Sequence, residues 1–126
     1  MFTSIRTSEA NKQVVSTLTR KLNLGSENII ARIALSYSLA KEKQLDIGDI
    51  KDSRGKEYSK DVLFGDQIDI YAGMIALNYG IYFSDKNIPK YVKLHLDDGL
   101  EKIIDAINSN DAGLDFINRE ILKSSI

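Results

Sequence analysis

NLGSENIIARIALSYSLAKEKQ, residues 23–44, is the stretch on which the fold turns. The NLGS tetrapeptide stops one helix, and Ser26 suits the N-cap of the next, with Glu27 near its positive end. The helix that follows, from about Ser26 to Lys43, is apolar on most of its circumference: Ile29, Ile30, Ile33, Ala34, Leu35, Tyr37, Leu39 and Ala40. Asn28, Arg32, Ser36 and Lys43 leave only a narrow polar stripe. A helix apolar on nearly all sides needs several neighbours. One 14.1 kDa chain has few elements to supply them, so some are expected to come from another subunit, with Ile29, Ile33 and Tyr37 at the contact.

The chain before this helix reads as a strand and a helix. FTSIRTS alternates weakly and is rich in β-branched residues, which predicts a short strand with Phe2, Ser4 and Arg6 on one side. Thr7 or Ser8 then suits an N-cap with Glu9 in the first turn, and Ala10, Val14, Leu18 and Leu22 form the expected inward face. Lys12, Ser16 and Arg20 share a separate polar face, and Lys21 joins the last turn. A lone strand cannot satisfy its ladder, whereas a ribbon paired with a second copy would. The first 43 residues thus read as a ribbon-helix-helix-like unit, an order in which the paired strand can enter a DNA groove.

Beyond residue 43 the pattern is mainly helical. Residues 44–60 are polar and turn-rich, with a hairpin or irregular loop around Gly55. Asp66 suits the cap of a helix whose inner face is Ile68, Tyr71, Ala72 and Ile75. Gly73 within that helix costs about 1 kcal/mol against alanine, which suggests close approach of another helix. Pro89 closes the next loop. HLDDGLEKIIDAIN predicts a helix with Asp97 near its start and Leu100, Ile103, Ile104 and Ile107 inward. A last helix, about 111–124, carries Leu114, Ile117, Ile121 and Leu122. The expected fold class is mainly α, with the ribbon-helix-helix-like unit and the further helices in one compact oligomeric domain, 1–126.

Composition narrows the function. Hydrophobic content of 43% and charged content of 28% describe an ordinary globular chain. There is no cysteine, which excludes disulfides, thiol catalysis and thiolate metal sites. The N-terminal stretch MFTSIRTSEANK lacks the apolar run of a signal peptide, no membrane span is legible, and the expected location is cytoplasmic. Net charge is −1, yet residues 1–43 hold seven basic residues against three acidic, and residues 44–126 hold ten against fifteen. That polarity points to an anionic partner met by Arg6, Lys12, Arg20, Lys21, Lys41 and Lys43. His95, the only histidine, has no nucleophile beside it in sequence and reads as structural or surface. Asp97, Asp98, Glu101 and Asp105 read as an acidic helix face near an N-terminus rather than a cation site. No catalytic residue, cofactor or metal is expected.

Three stretches together carry a resemblance: LNLGSENIIARIALSYSL, DSRGKEYSKDVLFGDQIDIYAGMIAL and LHLDDGLEKIID. The order of a turn, NIxxRIAL (Asn28 to Leu35), GxEY (Gly55 to Tyr58), LxGxxxxxY (Leu63 to Tyr71) and LHLxxGL (Leu94 to Leu100) resembles the DndE family of the bacterial DNA phosphorothioation machinery. The likeness spans about residues 5–108, with 109–126 as a helical extension. In the turn, Ser26 and Glu27 stand where the family carries threonine and proline, and both still suit a helix start. The resemblance implies a mostly helical homotetramer that binds double-stranded DNA, preferentially nicked, without sequence specificity. It also implies other phosphorothioation-system proteins as partners, with the sulfur chemistry belonging to a cysteine desulfurase and an iron–sulfur protein. On this reading the chain is not an enzyme. The alternatives are a ribbon-helix-helix transcriptional regulator and a DNA nickase.

Overall fold

In the computed structural model, which describes residues 2–109, two short strands and five α-helices share one core. The first strand, β1 (Ser4–Arg6), pairs antiparallel with β2 (Glu57–Ser59) of the same chain, in the register Ser4↔Ser59, Ile5↔Tyr58, Arg6↔Glu57. The pairing alternates as strand geometry requires: Ile5 and Tyr58 point into the core, and Arg6 and Glu57 form an ion pair outside it. The ribbon with a second copy expected from the sequence is therefore corrected. The polar segment 44–60 contains the missing strand, concealed by its length of three residues.

Gly55 explains how that segment reaches β1. Its N–H bonds to Thr7 O at 2.9 Å, and a Cβ there would lie 2.0 Å from Ser8 O and 2.2 Å from Thr7 Oγ1. Only glycine allows the backbone this close. Ser8 then caps α1 (Glu9–Lys21), accepting from Asn11 N at 3.2 Å. The inward face of α1 is Asn11, Val15 and Leu18 rather than Ala10, Val14, Leu18 and Leu22. Ala10 is exposed, and Val14 and Leu22 are half-buried. A buried partner for the Asn11 amide, described below, sets this rotation.

The helix α2 (Glu27–Ala40), capped by Ser26, lies at the centre of the chain. Its neighbours are α1 on one side, α5 (Ile88–Ser109) along its length, and α3 (Lys60–Phe64) beside its first turns. Ile30, Ala31, Ala34 and Leu35 are completely buried. The sequence predicts that some of these neighbours come from another subunit; the chain's own helices provide most of the burial. The close helix crossing is made by Ala34 and Gly99, where a Cβ on Gly99 would sit 2.0 Å from the Ala34 carbonyl oxygen. At Gly73, where close approach of another helix is expected, no described part of this chain comes near: a Cβ there would meet nothing within 4 Å.

Two other expected boundaries move. Asp66 lies in a 3-10 turn (Gly65–Gln67) and does not cap α4 (Ile68–Tyr79), which begins without a side-chain cap. Pro89 is not in a loop but in the first turn of α5, where its missing N–H has no helical partner to lose. Asp97 is consequently in the middle of α5 rather than near its start. The predicted final helix and the extension 109–126 fall outside the described residues except for Ser109. No described helix is long and apolar enough to cross a membrane.

Candidate nucleic-acid interface

The outer face of α1 repeats at four-residue spacing: Lys12, Ser16 and Arg20 are all exposed. Lys12 and Arg20 are two turns apart, about 12 Å along the axis. Neither has a carboxylate within salt-bridge distance among the described residues. Ser16 Oγ donates to Glu27 Oε2 at 3.0 Å, and Lys56 Nζ holds the same carboxylate at 3.2 Å; Glu9, three residues before Lys12, is paired with Arg54. Lys21 lies at the end of the stripe, its Nζ 3.4 Å from Asn108 Oδ1.

The remaining predicted cations are not part of that stripe. Arg6 is paired with Glu57, and that hydrogen bond and charge hold the Glu57 carboxyl below its usual range. Lys41 and Lys43 lie just past α2, at the end opposite the Asn23–Gly25 turn. Lys41 stands 4.7 Å from the Tyr37 ring centroid, and the Lys43 carbonyl accepts from Asn78 Nδ2 at 3.5 Å. The structure thus brings Lys12, Arg20 and Lys21 together and leaves Arg6, Lys41 and Lys43 elsewhere.

The predicted oligomer residues divide as well. Ile29 is 43% exposed and Ile33 half-buried. With Leu63, Phe64 and Tyr71 they line an open groove of about 400 Å³. Arg32 is anchored beside this groove, its Nε and Nη2 donating to Val62 O at 3.0 and 2.7 Å. Tyr37 is buried at 8% exposure. Gly73 is on the outer side of α4.

Sequence reasoning missed a buried polar system. His95, Lys93 and Asp97 lie within α5 as Lys93–Leu–His95–Leu–Asp97, and all three are buried. Asp97 Oδ2 accepts from Lys93 Nζ at 2.9 Å, while its Oδ1 accepts from Asn11 Nδ2 at 2.7 Å and from Ser8 N at 3.1 Å. Lys93 Nζ also donates to Arg6 O at 2.9 Å. A second chain of bonds runs through His95. Ser38 Oγ gives its one proton to Asp98 Oδ2 at 2.8 Å, so His95 Nδ1 donates to Ser38 Oγ at 2.8 Å. His95 Nε2 then accepts from Tyr79 OH at 2.6 Å, and the Tyr79 oxygen accepts from Leu45 N at 2.8 Å. Burial lowers the His95 pKa to about 4, outweighing the upward pull of Asp98. Burial likewise raises Tyr79. The available signal was the spacing: Lys93 and Asp97 at i, i+4, with His95 flanked by two leucines.

Asp97 therefore turns inward, Asp98 bonds Ser38 and Lys102, and Glu101 pairs with Lys51. Among the described residues no group of acids and histidines is placed to hold a metal ion. What remains among the described residues is a small helical protein whose buried Lys93, His95 and Asp97 are all partnered, with an exposed basic helix face and an open apolar groove beside Ile29 and Ile33. The chain belongs to the DndE family: residues 4–111 match the family described as "DNA sulphur modification protein DndE". It also resembles the crystal structure of DndE from Escherichia coli B7A, a protein described there as involved in DNA phosphorothioation modification. The identity is 18%, with a TM-score of 0.64, over 80% of this chain and 96% of that one. No curated protein sequence matches the chain.

Proposed function

We propose that this chain is the non-catalytic DNA-binding component of the phosphorothioation machinery and works as a homo-oligomer, in keeping with a homotetramer. In this reading it binds duplex DNA, preferentially nicked, through phosphates and without base readout. The observation that carries the reading is the face of α1, where Lys12 and Arg20 are exposed, evenly spaced and without acidic partners among the described residues. Cations in that state release condensed counterions when they meet a phosphate backbone. The internal pairing of β1 disfavours the regulator alternative, because a groove-reading ribbon would need that strand's partner to come from a second copy. The state of His95 disfavours a nickase: both ring nitrogens are engaged and the side chain has no exposure.

The test is a titration of purified full-length chain onto nicked duplex, intact duplex and single-stranded DNA over a range of salt, with the mass measured by light scattering. The proposal expects nicked duplex to bind tightest, little dependence on sequence and a steep loss of affinity with salt. Selective binding to one short palindrome would favour the regulator instead. Strand cleavage that survives purification and is lost in a single carboxylate variant would favour the nickase.

A further inference from the structure

The loop between α4 and α5 carries two aromatic residues in succession, Tyr82 and Phe83, 84% and 44% exposed. Phe83, Phe2 and Pro89 form the apolar walls of an open hollow of about 500 Å³, and Ser84, Asp85 and Lys86 complete its lining. That size is within the range of small-ligand sites. Phe2 is fixed from behind: its ring meets Phe64 edge-on at a centroid distance of 5.8 Å, and Phe64 packs against Tyr71 at 5.0 Å. Phe83 and Tyr82 have no ring partner among the described residues. Lys86 and Lys90 are exposed, and neither is in an ion pair among the described residues. Asp85, the acid of the lining, is tied to the backbone that starts α5, its Oδ1 accepting from Asn87 N at 2.8 Å.

We infer that this hollow receives an unstacked nucleobase from duplex DNA opened at a strand break, with the base against Phe83 and the flanking phosphates at Lys86 and Lys90. The inference rests on the reading of the chain as a nicked-duplex binder and names the part of the surface that senses the break. Two observations carry it. The first is chemical: flat apolar walls with unpaired cations at the rim match an aromatic ring that carries anionic groups, which is a nucleotide. An apolar peptide would use the walls and leave both lysines without a partner. The second is placement. Residues 2–21 follow one side of α5, since Lys93 Nζ reaches Arg6 O, Asp97 holds Ser8 N and the Asn11 amide, and Lys21 reaches Asn108. The hollow lies at the start of that run, at Phe2, and the Lys12–Arg20 stripe lies at its end. Pro89 and Asp97 are eight residues apart on α5, about 12 Å along its axis. A strand held at Lys12 therefore reaches the hollow within about four nucleotides at 3.4 Å each. Taking a base out of the stack costs least where the duplex is already damaged, so such a platform favours a break. Stacking on an aromatic ring is indifferent to which base is present, in keeping with binding without base readout.

The test uses the full-length chain at fixed salt on three probes of one sequence: intact duplex, nicked duplex, and nicked duplex with abasic sites on both sides of the break. Phe83→Leu keeps an apolar side chain and removes the ring, whereas Phe83→Trp keeps a ring. Phe83→Leu is expected to weaken nicked-duplex binding about tenfold, the loss of one base–aromatic stack. Its affinity for intact duplex, its salt slope and its helical circular dichroism are expected to stay those of the parent. Phe83→Trp is expected to retain the preference for nicked DNA. The abasic probe is expected to weaken the parent by the same factor and Phe83→Leu no further. 5-Iodouracil beside the break is expected to photocross-link to the peptide that holds Tyr82 and Phe83, and cross-links confined to α1 would overturn the inference. A benzophenone side chain at position 83 that attaches to residues 110–126 in the presence of nicked DNA would also overturn it, with the chain itself as occupant. A parent that binds no DNA, or binds nicked and intact duplex alike, would remove the nicked-duplex reading along with this one. A parent that prefers nicked duplex, with a Phe83→Leu variant that keeps the full preference or loses both duplexes equally, would remove this inference alone.

Discussion

Replacing Asp97 by alanine tests whether the buried polar system holds the N-terminal strand and helix onto α5. Asp97 is 3% exposed and Lys93 6%. The substitution takes the carboxylate from Lys93, leaving the ammonium only the Arg6 carbonyl at 2.9 Å. It also strips Ser8 N and the Asn11 amide of the oxygen they share. Removing one partner of a buried ion pair costs about 3–5 kcal/mol, and the two orphaned donors push the loss toward the upper end. With a urea slope of about 1–3 kcal/mol per molar, the unfolding midpoint should fall by about 2 M. Lys93→Met should cost less, because the carboxylate it strands still accepts from Ser8 N and the Asn11 amide, whereas Asp97→Ala strands a cation and takes the acceptor from both donors. Urea unfolding followed by circular dichroism at one fixed chain concentration measures both, which matters where assembly contributes to stability. A loss below 1 kcal/mol for Asp97→Ala, or a larger loss for Lys93→Met, would refute the reasoning.

Other perturbations bear on the core and the surface. Gly99→Ala should destabilise by about 3 kcal/mol or more, since its methyl would meet the Ala34 backbone rather than a movable side chain; thermal unfolding checks it. His95 takes its proton near pH 4 in the folded chain and near 6.5 when unfolded, so the unfolded state binds more protons between those values and stability falls as pH drops. The loss between pH 7 and 5 should be about 2 kcal/mol, and a His95→Gln variant should lack it when urea midpoints are compared across that range. Lys12→Gln with Arg20→Gln should weaken binding to every DNA sequence alike and make the salt slope shallower by about 0.9 per lost phosphate contact on duplex. Gel shifts at several salt concentrations read this, and an unchanged slope would exclude the α1 face.

The helices at the start of the chain were legible because their signals are local. Ser8 and Ser26 each cap a helix through their own side chain, and the turn between α1 and α2 carries its own stop signal. The strand partner was not legible, because β2 is three residues long and is defined by a contact across some fifty positions of sequence. The true start of α5 was hidden by its composition. Lys93, His95 and Asp97 alternate with leucines, which lowers any apolar periodicity, and their burial depends on partners in β1, α1, α2 and α4. The face of α1 was misassigned by one position for the same reason: Asn11 is inward only because Asp97 awaits it. The charge asymmetry located a basic region but could not show that Arg6 is paired with Glu57.

The internal location of these polar groups bears on function. A chain whose Lys93 and Asp97 pair with each other, and whose His95 is held between Ser38 and Tyr79, has little chemistry left to offer a substrate at those groups. Among the outward features of the described residues are a short cationic stripe and two apolar ones, the Ile29–Ile33 groove and the outer side of α4. Three clustered cations on one copy can neutralise only a few phosphates, and each phosphate adds about 0.9 to the salt slope on duplex DNA. Tight binding by such a surface requires several copies held at fixed spacing, so that one duplex meets several stripes at once. Two distinct apolar faces are also what a closed assembly larger than a dimer needs, since one isologous contact ends at two copies. Assembly and DNA binding are therefore coupled in this reading: the apolar faces set how many α1 stripes a duplex meets, and the stripes give the assembly its phosphate affinity.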